Sequence, residues 1–373
     1  MIILATKTLS ENISQAISDF DGIKQAIIDK GVEIPTGTPT SQYGAKIGEI
    51  QSGGSDEEFI KTVERSATEI TLPSGLTKIG SYAFYKYSTL ISAEMPDRLT
   101  SIGSYAFHSC TKLALTSLPD GITSIGTYAF WGCTNLALKS LPDRITSIGT
   151  YAFYDCSNLA LTSLPNGVNS IGSNTFRYCS NLALTSLPDG ITSIGVSAFS
   201  DCSNLALTSL PSGITNIGQY AFNGCTKLAL TSLPKGITRI DDYSFKDCTS
   251  LALTSLPEGI TNIGISSFEG CTSLALTSLP ESITIITSYA FSGCSSLALK
   301  SLPSKISRIT NYTFGYCTGL TEITFKGTPK SIDSTAFNGC TNLTTIRVPW
   351  AEGAVSGAPF GATNATIVYN YTE

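Results

Sequence analysis

Hydrophobic residues recur along this chain with a fixed period of 23 residues. Twelve phenylalanines lie in one register, from Phe84 to Phe337, and an isoleucine precedes each of them by five residues. All eleven cysteines keep the same period, from Cys110 to Cys340. Such a period is typical of a repeat array, in which each unit buries its apolar face only against its neighbours.

One unit, residues 115–137, has the sequence LTSLPDGITSIGTYAFWGCTNLA. The apolar run that ends at proline predicts a short strand, because proline cannot donate to a sheet ladder. The Asp-Gly pair predicts a turn. Ile-x-x-Ile-Gly then predicts a second short extended segment, ended by a glycine that suits positive φ or close backbone approach. Tyr-Ala-Phe-x-x-Cys predicts one helical or 3₁₀ turn.

The pattern L-P-x-x-I-x-x-I-G-x-x-A-F-x-x-C-x-x-L resembles the BspA-type leucine-rich repeat. The resemblance covers about residues 67–349. It implies a solenoid of parallel β-strands and short helical or 3₁₀ turns, with about twelve coils of 23 residues. Phenylalanine, isoleucine, leucine and cysteine are then expected to form ladders inside the rod, with equivalent strands about 4.8 Å apart.

The interior copies carry extra leucines. Most contain Leu-Ala-Leu-Thr-Ser-Leu-Pro, and strict strand alternation points one leucine of each copy outward. Nine leucines are affected, from Leu115 and Leu138 to Leu299. They form either an exposed apolar stripe or a row turned inward by a bulge. We favour the inward arrangement, because an exposed stripe of nine leucines invites aggregation.

Composition excludes several function classes. Charged residues make up 14% of the chain and the net charge is −5, so a basic footprint for nucleic acid is missing. No apolar run approaches the ~18 residues of a membrane span. The first residues, MIILATKTLS, lack the features of a signal peptide. We therefore expect neither nucleic-acid binding nor membrane insertion.

The cysteines are too regular for a catalytic or metal-binding arrangement. We expect unpaired structural thiols, because in-register side chains point the same way and buried thiols behave as small hydrophobes. Zinc is disfavoured by the absence of Cys-x-x-Cys and by a single histidine, His108. Catalysis is disfavoured because the one histidine occupies a variable repeat position and the acidic pair Asp241-Asp242 occurs in only one copy. The sequence predicts a protein that is not an enzyme and has no metal or cofactor.

Residues 1–54 have a different pattern. Apolar residues at three- and four-residue spacing predict an amphipathic helix. Its apolar positions include Ile13, Ile17, Phe20, Ile23 and Ile27. A core this small is marginal, so this small helical domain is expected to dock on a partner or on another copy of itself. The alternative is a domain folded back on the first repeat. A linker runs to about residue 58, the solenoid with its N-terminal cap spans 59–349, and residues 350–373 form a C-terminal cap.

Both ends carry a second resemblance. Residues 22–54 look like the attachment region of bacteriophage and prophage tail-associated proteins, and residues 348–371 are similar to the closing segment of repeat proteins from that setting. The resemblance implies a virion-associated structural and recognition protein, attached through residues 1–54 to other virion proteins. The alternative is a BspA-type adhesin on the bacterial cell surface or outside the cell.

One column of variable residues is the candidate binding surface. The residue after each repeat phenylalanine varies most, and in the first five copies it is aromatic or planar: Tyr85, His108, Trp131, Tyr154 and Arg177. Large rigid groups at a regular spacing suit sugar faces or partner side chains. Three alternatives stay open for this column: binding of a host-surface glycan or protein, contact with the N-terminal domain or another subunit, and no role. A second column, two residues before phenylalanine, is tyrosine in eight copies, which favours a packing role.

Overall fold

The computed structural model describes residues 65–372. The predictions for the N-terminal helix and the linker lie outside this part of the chain. The described residues form a parallel β-solenoid of about 13 turns, as the repeat pattern predicts. We number its coils by their phenylalanine, from coil 1 with Phe84 to coil 12 with Phe337.

Residues 65–372 contain eighteen short strands. In chain order they are β1 (Glu69–Thr71), β2 (Lys78–Ile79), β3 (Ser92–Glu94), β4 (Ser101–Ile102), β5 (Ser124–Ile125), β6 (Ser147–Ile148), β7 (Ser170–Ile171), β8 (Ser193–Ile194), β9 (Asn216–Ile217), β10 (Arg239–Ile240), β11 (Asn262–Ile263), β12 (Ile285–Ile286), β13 (Ser301–Leu302), β14 (Arg308–Ile309), β15 (Glu322–Phe325), β16 (Ser331–Ile332), β17 (Thr345–Arg347) and β18 (Thr366–Val368).

The strand column of the rod comes from the Ile-Gly segment of each repeat. Its strands pair in parallel with a register of 23 residues, as in Ile102 with Ile125. The column falls into three sheets, of order β2-β4-β5-β6, β7-β8-β9 and β10-β11-β12-β14-β16. The glycine after the strand is required by close approach: a Cβ on Gly126 would lie 2.5 Å from the backbone nitrogen of Ser104. No side chain fits there without moving a neighbouring coil.

The core is a set of stacked like residues. The twelve repeat phenylalanines are fully buried, and consecutive rings stack with centroids 5.2–5.6 Å apart. All eleven cysteines are free and buried. Each thiol donates to the carbonyl of the phenylalanine 26 residues earlier, as Cys202 Sγ does to Phe176 O at 2.9 Å. The thiols therefore serve as small core residues that also satisfy a backbone acceptor.

The turn of each repeat differs from the sequence prediction. Residues 65–372 contain no helix. A helix that could span a membrane is therefore absent from this part of the chain. In coil 2, Ala106 and His108 donate to carbonyls three residues back, but Phe107 and Ser109 donate across to the next coil. Tyr105 and Ser109 both have a φ of 59°. Because alternate amides point along the rod, a helix cannot continue through this segment.

The interior leucine runs also differ from the predicted strands. A strand forms at this position of the repeat only towards the ends of the rod, in β1, β3, β13, β15 and β17. In coil 3, Leu115 and Leu118 are both buried while the two residues between them are exposed. A period of two cannot bury both leucines, so the backbone turns and keeps one bond between coils, from Ala137 N to Leu115 O. All nine leucines from Leu115 to Leu299 are buried, which confirms the inward arrangement.

The segment after the last coil packs against the far end of the rod. Residues 350–372 leave the 23-residue period, and β18 adds in parallel to β17. Trp350 is buried and lies edge-on to Phe325 with centroids 5.3 Å apart. Phe360 is buried as well, and its carbonyl accepts a hydrogen bond from the Phe337 amide. The last phenylalanine of the ladder is thereby covered.

Candidate functional site

Two neighbouring columns of rings run along the first four coils. We call Tyr85, His108, Trp131, Tyr154 and Arg177 the aromatic column, and Tyr82, Tyr105, Tyr128 and Tyr151 the tyrosine column. Both lie on the turn segment of the repeat, one residue after and two residues before phenylalanine. Phenylalanine and the residue before it are both buried, and the two columns lie on either side of this buried pair. Together the eight rings of coils 1–4 form the aromatic face.

The rings of each column stack on one another along the rod. In the aromatic column, the centroid distances are 4.8 Å for Tyr85–His108, 4.3 Å for His108–Trp131 and 5.5 Å for Trp131–Tyr154. In the tyrosine column, the four rings lie 4.5–4.7 Å apart and within 11° of parallel. The sequence prediction that these positions form continuous columns of planar groups is matched in coils 1–4.

Contacts between the columns join them into one surface. Tyr82 and Tyr85 meet edge to face with centroids 5.7 Å apart, and Tyr151 lies 5.8 Å from Tyr154. Ring pairs of this kind add about 0.5–1.5 kcal/mol each beyond burial. The face is therefore preorganised before any partner arrives.

Ring orientation decides what the face can bind. Because the rings stack along the rod, the faces of the inner rings are covered by their neighbours. Ring edges and phenol hydroxyls are what reach solvent. Stacking of sugars on the inner ring faces, one of the options raised by the sequence, is sterically blocked. Ring edges carry partial positive charge, so the face suits partner rings, carbonyls and hydroxyls that approach side-on.

Two cations lie at the two ends of the aromatic column. Lys86 Nζ lies 5.2 Å from the centroid of the Tyr85 ring. At the other end, Arg177 lies 6.0 Å from the centroid of Tyr154 and 4.7 Å from that of Tyr178, whose hydroxyl accepts a 2.9 Å hydrogen bond from Arg177 Nη2. Arg177 therefore ends the ring stack instead of continuing it.

His108 is the most buried member of the aromatic column. Its side chain is stacked between Tyr85 and Trp131, and its Nδ1 lies 2.9 Å from Ser109 Oγ. Burial lowers the pKa of His108, because the imidazolium would lose hydration there. The positive charge of Lys86 lowers it further. The ring is consequently neutral at pH 7 and acts as an aromatic group.

A third set of positions was missed by the sequence prediction. The residue two positions after each repeat phenylalanine lies beside the aromatic column, and in coils 1–4 it is Lys86, Ser109, Gly132 and Asp155. Each has a positive φ, from 56° to 71°. We call these four residues the flanking column. Over all twelve copies this position varies less than the aromatic column does, but in coils 1–4 it has a different residue in each coil, and that variation is the signal that could have revealed it.

The aromatic face ends where the first sheet ends. Strands β2, β4, β5 and β6 belong to coils 1–4, and β7 starts a new sheet in coil 5. In coils 5 and 6 the tyrosine column is interrupted by Asn174 and Ser197, and tyrosine returns in coils 7, 8, 10 and 11. The later members of the other column are small or polar: Ser200, Asn223, Lys246, Glu269, Ser292, Gly315 and Asn338. Lys246 and Glu269 form an ion pair at 2.9 Å.

The model of the BspA type leucine rich repeat region matches this chain in four overlapping stretches, residues 62–183, 128–252, 169–298 and 238–360. The chain belongs to this repeat family. No curated protein matches it in sequence. The family assignment covers the whole aromatic face.

The fold is shared with a solved structure, and a second one is reported beside it. A leucine rich cell surface protein from Faecalibacterium prausnitzii is 29% identical, with a TM-score of 0.54, over 78% of this chain and 89% of that one. A leucine-rich repeat protein from Bacteroides ovatus is 23% identical with a TM-score of 0.49, over 82% of this chain and 84% of that one. Leucine-rich repeat proteins are typically non-catalytic binding scaffolds.

Proposed function

We propose that this chain is a non-catalytic recognition protein whose contact surface is the aromatic face of coils 1–4. The observation that carries this proposal is that rings occupy the aromatic column only in four consecutive coils, where they lie beside an unbroken run of four stacked tyrosines. Later in the rod tyrosine returns only as two stacked pairs, Tyr220–Tyr243 and Tyr289–Tyr312, and the residues of the aromatic column beside them are small or polar. Tyrosine, tryptophan and arginine are the residues enriched at the energetic centres of interfaces. The fold of the repeat does not require rings in the aromatic column, because coils 6–12 form without them.

The edge-out orientation of the rings favours a protein partner over a glycan. The phenol hydroxyls donate and accept hydrogen bonds, and the pKa values of Tyr105 and Tyr128 are raised by burial and by neighbouring tyrosines, which keeps these hydroxyls protonated. No charged group belongs to either column before Arg177. A partner with apolar and hydrogen-bonding groups therefore complements this surface better than a polyanion.

Replacement of Trp131 and Tyr154 by alanine tests the contact surface. We expect the double variant to lose at least about tenfold in binding to intact bacterial cells or purified cell walls, since hot-spot residues of this type each contribute ~2 kcal/mol or more. The matched control is Asn223→Ala with Ser292→Ala, at the same column positions in later coils. Thermal unfolding, followed by circular dichroism, should remain close to wild type. Equal binding by both double variants would remove the aromatic face as the contact surface.

Two settings fit such a protein. A phage or prophage particle is supported by the sequence resemblances of residues 22–54 and 348–371, with attachment through residues 1–54. A bacterial adhesin is supported by the description of the Faecalibacterium relative as a cell surface protein. Antibody detection in purified particles and in the cell envelope fraction separates the two. Enrichment in particles supports the virion setting, and enrichment in the envelope supports the adhesin.

A further inference from the structure

We infer that the partner of the aromatic face is a second copy of this chain, packed against it in an antiparallel, twofold-symmetric dimer through coils 1–4. This inference rests on the proposed function, because it names the partner of the same surface. Three independent features of the described residues support it: the spacing of the rings, the order of the flanking charges and the extent of the first sheet.

The spacing of the face matches that of another solenoid. Tyrosine rings repeat every 4.5–4.7 Å over four coils. Neighbouring strands of a sheet repeat at about 4.7–4.9 Å, so a second stack of coils can meet this surface level by level. An irregular globular partner offers such a repeat only by accident. Identical columns are also the simplest way to obtain equal spacing on both sides.

Twofold symmetry adds a strict rule about which coils meet. When two rods pack face to face around an axis perpendicular to both, each column faces its own copy, and the order of the coils is reversed. Coil 1 then faces coil 4, and coil 2 faces coil 3. In the aromatic column this places Tyr85 opposite Tyr154 of the other copy, and His108 opposite Trp131. Rings therefore meet rings at all four levels.

The flanking column obeys the same rule with opposite charges. Coil 1 has Lys86 and coil 4 has Asp155. Each lysine therefore faces the aspartate of the other copy, and the dimer contains two such pairs. Coils 2 and 3 have Ser109 and Gly132, which are neutral and small. A parallel arrangement would instead place the flanking column opposite the tyrosine column and leave these charges unpaired. Charge complementarity thus selects the antiparallel dimer.

The surface has the extent that this symmetry needs. The first sheet, β2-β4-β5-β6, carries the same four coils as the aromatic face, with the twofold axis between coils 2 and 3. Arg177 in coil 5 closes the ring stack at its end. Coils 5–12 of the two copies would then project in opposite directions, away from the contact. Both outer rods stay available for other partners. Because two linked rods bind a cell surface more tightly than one, a variant that loses the dimer also loses cell binding.

A charge swap in the full chain tests the dimer. Analytical ultracentrifugation of the wild type at about 100 µM, above the dissociation constant of a standard interface, should give twice the 39.3 kDa chain mass. Lys86→Glu alone and Asp155→Lys alone each create two like-charge contacts. Each should raise the dimer dissociation constant roughly tenfold to a hundredfold. The combined Lys86→Glu and Asp155→Lys variant should recover the wild-type value.

Controls keep the outcomes distinct. Lys112→Glu changes charge by the same amount on an exposed residue of coil 2 outside the face, and it should leave the dimer intact. A monomeric wild type overturns the inference. A dimer whose dissociation constant is unchanged by Lys86→Glu also overturns it, and would place self-association in another part of the chain, such as residues 1–64. If the wild type is monomeric while the Trp131 and Tyr154 double variant still loses cell binding, the proposed function stands and only the second copy is wrong. Circular dichroism of every variant verifies folding.

Discussion

Replacement of Phe199 by alanine should lower the free energy of unfolding by about 3–5 kcal/mol. The Phe199 ring is fully buried, and its centroid lies 5.6 Å from those of Phe176 and Phe222. Its removal therefore deletes two stacking contacts and leaves a cavity at the middle of the ladder. Chemical denaturation followed by circular dichroism measures the loss.

The Phe199→Ala effect should also be local. Each coil of a solenoid contacts only its neighbours, so the cavity weakens coils 5–7 most and lets the rod unfold from its centre. Hydrogen exchange should show lost protection around coil 6 and little change near coil 1. The control is Ser209→Ala, an exposed position in the next unit, with an expected change within about 0.5 kcal/mol. Equal stability of the two variants would contradict a stacked phenylalanine core.

Replacement of Leu207 by aspartate should be at least as damaging as the phenylalanine change. Leu207 is fully buried, and its carbonyl accepts the bond from Ala229 N that joins two coils. Truncation of such a leucine to alanine costs about 2–5 kcal/mol, and an unpaired buried carboxylate adds a desolvation penalty. We expect the variant to unfold or to become strongly pH-dependent in stability, gaining stability as the carboxylate is protonated.

Leu207→Met is the matched control for the buried leucine. It conserves volume and apolar character, so its cost should stay below about 1.5 kcal/mol. Thermal unfolding of the two variants side by side shows whether this position requires an apolar side chain of similar volume. Wild-type stability of Leu207→Asp would mean that this leucine row faces solvent.

The period of 23 residues was sufficient to predict most of the fold. Phe84 to Phe337 and Cys110 to Cys340 occupy one register, and one register in a repeat array means one ladder. The free thiols were predictable for the same reason, because stacked side chains point alike. The BspA-type resemblance rested on these positions and is confirmed by the family match over residues 62–360.

Local backbone geometry was harder to predict. Leu115 and Leu118 are separated by two polar residues, and sequence alone does not state where the chain turns to bury both. The predicted helical turn was wrong because alternate amides donate to the next coil, which depends on a neighbour and not on local propensity. Positive φ at Tyr105 is equally hidden, since tyrosine rarely adopts it.

The candidate site was predictable as a column but not as a surface. The variable residue after each phenylalanine identified Trp131 and its neighbours, because variation within a strict repeat marks solvent-facing positions. The orientation of the ring planes could not be inferred from the sequence. Because the rings stack along the rod, their edges and hydroxyls face outward. The flanking charges of Lys86 and Asp155 became meaningful only once coil order and column order were known.

Counting reactive thiols in the native protein tests the central claim most directly. Every cysteine lies within the repeats, so the count reports on a continuous buried column from coil 2 to coil 12. Burial raises the pKa of the end thiols of Cys110 and Cys340 to about 12 and that of the interior ones well above its usual range, which leaves no reactive thiolate at pH 7. A stacked solenoid predicts almost no reaction with a thiol reagent under native conditions and eleven equivalents after unfolding without reductant. Rapid labelling of several cysteines in the folded protein, or fewer than eleven equivalents in the unfolded one, would contradict it.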